Sequence, residues 1–211
     1  MSDHEPIRLP DMHFEGPNPD LPPAPEGLAY EDYEDWRADA LLAANGVDTT
    51  EPSLLDALRT KENVVLAAAA RASGHHQVEA TKESLREVAS GPDDYAGVEA
   101  AFALARLGEE DGRSLLRRAL ERPLGPYLSP VLAAGHLGRL GDPSGFPVVR
   151  EGLGSDLLAV KMLACKQLAV FLPHEGDALP DGSAVDARAQ LERALEDPDL
   201  ASEARAQLPL A

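Results

Sequence analysis

The chain has 211 residues, of which 44% are apolar and only 4% aromatic, a length that suits one continuous core. Its net charge of −18 argues against a general binder of nucleic acid or of anionic membranes, because both carry negative charge. The chain has no run of about 18 apolar residues, so we expect no membrane span.

Residues 1–29 are acidic and proline-rich, which predicts an extended or disordered arm. Proline removes a backbone donor and biases the residue before it away from helix. The first residues have neither the basic region nor the apolar region of a secretory signal, so we expect a cytoplasmic protein. Two interpretations stay open: a floppy tail, or an arm that lies along the helical part or along a partner.

From residue 30 to residue 211, alanine- and leucine-rich segments recur at intervals of 34, 33 and 31 residues. Such a period is typical of stacked helical repeats, in which each helix pair buries its apolar face against its neighbours. Weaker copies lie at 36–46 and 200–208. The aligned apolar positions of the clearest first helices are Ala70, Leu104, Leu137 and Leu168.

A second, amphipathic helix is predicted after each of these segments, with apolar residues at helical spacing and charges opposite. Gly74, Gly108 and Gly141 lie where a first helix is expected to end in a left-handed residue. Asp142 followed by proline is typical of a helix start. The aligned apolar positions of the second helices are Leu55, Leu85, Leu116, Val149 and Leu191.

Residues 133–153 read AAGHLGRLGDPSGFPVVREGL. This segment resembles the short bacterial HEAT-like repeats first noted in phycobilin lyases, with their alanine pair and Leu-Gly-x-Leu-Gly-Asp-Pro turn. The resemblance implies an all-α protein, an α-α superhelix of about five helix pairs plus a C-terminal helix. It also implies that the second helices line a concave binding face.

Arginines recur on the second helices, and three of them directly follow the aligned apolar residue. Stacking would bring them into one row, which could bind carboxylates or phosphates because a guanidinium is a planar fork of donors. The alternative is that each arginine pairs with glutamates nearby on its own helix. The predicted partner-binding residues are Arg86, Arg117, Arg118, Arg150 and Arg193.

Sequence patterns of catalysis and metal binding are missing. Cys165, the single cysteine, lies in an alanine-rich stretch and is predicted to be a buried structural thiol. His75 and His76 are adjacent, but no histidine pair has the spacing of a zinc-binding helix. No nucleophile motif or phosphate-binding loop occurs. We therefore expect no catalytic residue, no cofactor and no metal.

The predicted function is a non-enzymatic protein–protein interaction module: an adaptor or scaffold, a regulatory protein, or an immunity-type inhibitor. Its acidity suits a partner protein with a basic surface, because opposite charges speed encounter. The resemblance leaves two alternatives open: a bilin lyase or chromophore-binding protein, and, less favoured, a nucleic-acid-acting HEAT protein. The identity of the partner and the oligomeric state do not follow from the sequence.

Overall fold

A computed structural model of the chain describes residues 21–23, 25, 30–91, 94–124 and 128–208. The predicted arm over residues 1–29 lies almost entirely outside the described residues. Within the described residues no strand forms and no helix combines the length and apolar character needed to cross a bilayer. The predicted all-α class is therefore confirmed.

The described part of the chain contains eleven α-helices and three short 3-10 turns. In chain order the helices are α1 (Tyr30–Ala44), α2 (Glu51–Thr60), α3 (Asn63–His75), α4 (Lys82–Ala89), α5 (Asp94–Arg106), α6 (Glu110–Leu120), α7 (Ser129–Arg139), α8 (Phe146–Gly152), α9 (Leu158–Phe171), α10 (Ala187–Ala194) and α11 (Ala201–Gln207). The 3-10 turns are Glu79–Thr81, Pro143–Gly145 and Leu172–His174.

The odd-numbered helices α1 to α9 are the predicted first helices, and the even-numbered helices α2 to α10 are the predicted second helices. Consecutive first helices pack against one another, from α1 on α3 to α7 on α9, and α9 also packs on α11. Each second helix from α2 to α8 contacts the first helix of the next pair. The main helix contacts therefore join elements that are close in chain order.

The central first helices α3, α5 and α7 are buried on most of their surface, whereas the second helices bury one face. All ten residues from Ser129 to Gly138 of α7 are buried. The four aligned positions of the first helices have no exposed surface. The second-helix prediction holds from Leu85 onward but is wrong for Leu55, because Leu54 fills the buried position of α2.

Two of the three predicted helix-ending glycines are left-handed: Gly108 has φ 80° and Gly141 has φ 78°. The prediction for Gly74 is wrong, because α3 continues through it and the left-handed residue is Gln77, with φ 55°. Gly74 instead allows a close helix crossing. A Cβ there would lie 2.6 Å from the Cα of Ala103 on α5.

We expect Gly74→Ala to lower the free energy of unfolding by about 1 to 3 kcal/mol, because the added methyl group forces α3 and α5 apart. Gly97→Ala is the matched control, since its Cβ would meet no neighbour closer than 3.6 Å. There the gain in helix propensity should leave stability equal or up to about 1 kcal/mol higher. Urea unfolding measures both, and equal effects would contradict the close crossing.

Candidate functional site

Two of the predicted partner-binding arginines join neighbouring helix pairs. Arg86 on α4 donates from Nε to Oδ2 of Asp111 at 3.0 Å, and it also pairs with Glu109. Arg117 on α6 donates from Nε and Nη2 to Oδ2 of Asp142, at 3.0 and 2.7 Å. Each arginine thus contacts the start of the second helix of the next pair or the turn that leads into it.

Asp142 shows how these turns hold a carboxylate in place. Its Oδ1 accepts the backbone N–H of Ser144 at 3.0 Å, as the predicted helix cap requires. Burial alone would raise the pKa of this carboxyl group. The hydrogen bonds from Ser144 and Arg117 outweigh burial and hold the pKa of Asp142 below its ordinary value. The carboxylate is therefore charged at neutral pH and fixes Arg117.

The other three predicted arginines are less constrained. Nη2 of Arg150 lies 3.9 Å from Oδ2 of Asp181, too long for a hydrogen bond. Arg118 on α6 and Arg193 on α10 are exposed and form no ion pair with the described residues. Pairing within one helix, the alternative interpretation, occurs for Arg86, which lies 3.6 Å from Glu83. Partner binding by the five arginines stays a prediction.

On the second helices, exposed carboxylates outnumber the arginines that form no ion pair with the described residues. These acidic residues lie on the helix face turned away from the core or directly after the helix. Several have no ion-pair partner in the part of the chain that the structure describes. Those without an ion-pair partner are Glu51, Asp56, Glu87, Glu110, Glu121, Glu151, Glu192 and Glu196. We call this set the acidic face.

A row of buried ionisable side chains runs through four consecutive first helices, and no sequence pattern predicted it. Nε of Arg71 on α3 donates to Oδ1 of Asp35 on α1 at 2.7 Å. Nη1 of Arg71 reaches Oε2 of Glu99 on α5 at 3.4 Å. Oε1 of Glu99 lies 3.3 Å from Nε2 of His136 on α7. None of these four side chains is more than 8% exposed.

Burial and neighbouring charges shift the pKa values along this row. Burial alone would raise the pKa of Glu99, but His136 and Arg71 outweigh it and lower that pKa to about 2. Burial lowers the pKa of His136 to about 4, although Glu99 opposes this shift. At neutral pH Glu99 is therefore charged and His136 is neutral. Nδ1 of His136 accepts from Nη1 of Arg139 at 3.1 Å, which places the imidazole proton on Nε2, facing Glu99.

Phe102 of α5 packs against this row of buried side chains. Its ring stacks on the imidazole of His136, with ring centroids 4.0 Å apart and an angle of 2° between the planes. The guanidinium carbons of Arg71 and Arg106 lie 5.7 and 5.5 Å from the centre of the same ring. A slip of one helix turn would leave buried charges without partners, so the row fixes how the first helices face one another.

Cys165 of α9 is buried, as predicted. Burial is the main reason that the pKa of its thiol rises to about 12, and Glu203 and Asp197 add to the rise. The thiol is therefore protonated at neutral pH, and a buried protonated thiol is a poor nucleophile. Near the start of α1, the rings of Tyr33 and Trp36 lie 5.8 Å apart.

Replacing Arg71 with methionine should lower the free energy of unfolding by about 3 to 5 kcal/mol, because Asp35 and Glu99 would lose the buried cation that they share. Arg193→Met is the control, since its side chain is exposed. Chemical denaturation at pH 7 compares the two variants with the native chain. A loss below about 1 kcal/mol for Arg71→Met would contradict the role of the buried row.

Acid should destabilise the native chain through His136. The folded state holds the pKa of His136 at about 4, against an ordinary value of 6.5, so the unfolded chain binds the proton more readily. This stability is complete above pH 6.5 and is lost as pH falls towards 4. We expect a loss of about 2 kcal/mol between pH 7 and pH 5.

His136→Gln should lack that loss, whereas His174→Gln, which changes a histidine outside the row, should keep it. Urea unfolding at both pH values measures the difference between each variant and the native chain. The same loss in all three proteins would show that other groups cause the acid sensitivity.

No protein-family model matches this chain, and no curated protein matches it with significant similarity. The function of the chain is therefore inferred from three features of its own structure. These are the acidic face of the second helices, the arginines that join neighbouring helix pairs, and the buried row that holds the first helices in register.

Proposed function

We propose that this chain is a non-enzymatic protein-interaction module, built as a HEAT-like α-α superhelix whose second helices form the binding face. The proposal for the architecture is supported by helix contacts that join near neighbours in the chain. It is also supported by the regular recurrence of buried apolar positions in first and second helices. An elongated stack leaves one face of every second helix available to a partner.

The acidic face is the observation that carries the proposal. Its exposed carboxylates belong to all five second helices, so they form an extended surface rather than one cluster. Two of the basic residues between them, Arg86 and Arg117, are already held by carboxylates of the next helix pair. The remaining charge on this surface is mainly negative, which suits a partner protein with a basic surface.

Arg118 and Arg193 complete the proposed interface as positively charged points within an acidic surface. Their exposed guanidinium groups are available to carboxylates of the partner. A few charges of opposite sign orient a partner, because the wrong arrangement brings like charges together. An adaptor, a regulatory protein and an immunity-type inhibitor of a basic protein all use such a surface. No catalytic step is part of the proposal.

The experiment is affinity capture with the immobilised full chain, followed by measurement of the dissociation constant for the protein that is retained. The test variant is Glu87→Lys/Glu121→Lys/Glu151→Lys, which reverses three charges on the acidic face. Affinity should fall about tenfold or more, since several ion pairs become like-charge contacts. Binding of the native chain should weaken with added salt.

The control variant is Glu62→Lys/Asp156→Lys/Asp199→Lys, which changes the net charge by the same amount at exposed acids outside the second helices. The control should keep the affinity of the native chain. Equal losses in the two variants would show that only net charge matters and would contradict a binding face on the second helices. Tight binding of a tetrapyrrole or of nucleic acid, with no protein retained, would favour the alternative functions.

A further inference from the structure

We propose that Asp39, His75 and His76 form a binding site for a divalent transition-metal ion of the Zn²⁺ type. This site lies where α1 meets the C-terminal end of α3, and it is independent of the proposed protein-binding face. The left-handed residue Gln77 ends the helix there, and its Nε2 donates to the carbonyl oxygen of Gly74 at 2.7 Å. The chain reversal holds both histidines beside α1.

The ligand atoms converge to within the range of a metal site. Nε2 of His76 lies 3.0 Å from both carboxylate oxygens of Asp39. One ligand atom from each of the three residues lies within 4.8 Å of the other two. Zn²⁺ with bonds of about 2.0 to 2.1 Å places tetrahedral ligand atoms about 3.3 Å apart. A rotation of the His75 side chain that brings its nitrogen to this spacing would complete three of the four positions.

The exposure of these side chains suits a site that an ion can enter. His75, His76 and Asp39 are 37, 33 and 32% exposed, which leaves room for water in the fourth position. Two imidazole nitrogens and one carboxylate oxygen favour Zn²⁺ and similar ions over Ca²⁺ or Mg²⁺, which prefer all-oxygen sites. The C-terminal end of α3 adds partial negative charge, which also favours a cation.

Asp35 supplies the outer contact that metal-binding histidines usually have. Its Oδ2 lies 3.0 Å from Nδ1 of His75. When Nδ1 donates its proton to this carboxylate, Nε2 of His75 is left without a proton and available to the metal. Asp35 and Asp39 are four residues apart on α1, so one helix face presents both the outer carboxylate and the ligand.

Arg106 is a positively charged side chain close to the proposed metal site. Its Nη2 lies 3.1 Å from Nδ1 of His75, and its Nη1 donates to both oxygens of Asp35 at 3.1 and 3.0 Å. The carboxylate of Asp35 therefore balances its charge. In this structure Nη2 of Arg106 donates to Nδ1 of His75, so binding of a metal at Nε2 requires Nη2 to release Nδ1, which then donates to Asp35. Nη1 of Arg106 keeps both of its bonds to Asp35.

The test is titration of the full chain with Zn²⁺ by calorimetry in a buffer that does not bind metals, with Co²⁺ absorption as a second readout. Asp39→Asn should weaken Zn²⁺ binding about tenfold or more, because it removes the only anionic ligand. Asp32→Asn is the matched control: it makes the same change at an exposed position of the same helix and should bind like the native chain. Zn²⁺ should raise the melting temperature of the native chain and of Asp32→Asn but not of Asp39→Asn.

His76→Gln gives the same test through a different ligand, so the proposal stays testable if Asp39→Asn does not fold. Co²⁺ bound by the native chain should show the intense visible bands of tetrahedral coordination, and these should be lost in His76→Gln. Unchanged Zn²⁺ binding in both Asp39→Asn and His76→Gln would overturn the proposal. Loss of binding only when His4 and His13 are replaced would overturn it too, because it would place the ion elsewhere.

Discussion

The charge of Arg71, buried between Asp35 and Glu99, is the interaction on which the arrangement of the first helices depends. A guanidinium taken out of water is costly unless carboxylates surround it, and here α1 and α5 each supply one. The buried ion pairs favour the observed register, because in another register a buried charge would lose its partner.

Ion pairs also join neighbouring helix pairs nearer the surface, but there they have a different effect. Arg86 and Arg117 pair with carboxylates at or just before the start of the second helix in the next pair. The side chains of these pairs are partly exposed to water. Such pairs add little stability because water screens them. Their main effect is on the surface charge: they neutralise two of the arginines that the sequence offered to a partner. The carboxylates left over give the second helices their acidic face.

The proposed metal site and the buried row share Asp35. This carboxylate accepts from Arg71 and Arg106 and lies beside His75, so it connects the buried row to the proposed metal site. A bound ion would therefore order side chains that also hold α1 against α3. In this arrangement the metal would make the first helix pair more rigid.

The sequence by itself determined the helical class, the approximate number of helices and most of the aligned buried positions. Apolar spacing and helix propensity depend on residues within a few turns of one another, so they can be read along the chain. Leu85, Leu116 and Leu168 are buried where the repeat predicts them. The tertiary structure decided which charges meet. Arg71 finds Asp35 across 36 residues, and His76 finds Asp39 across 37. Packing between neighbouring helix pairs sets these contacts, and a crossing as close as Gly74 on Ala103 leaves no local signal that would reveal it.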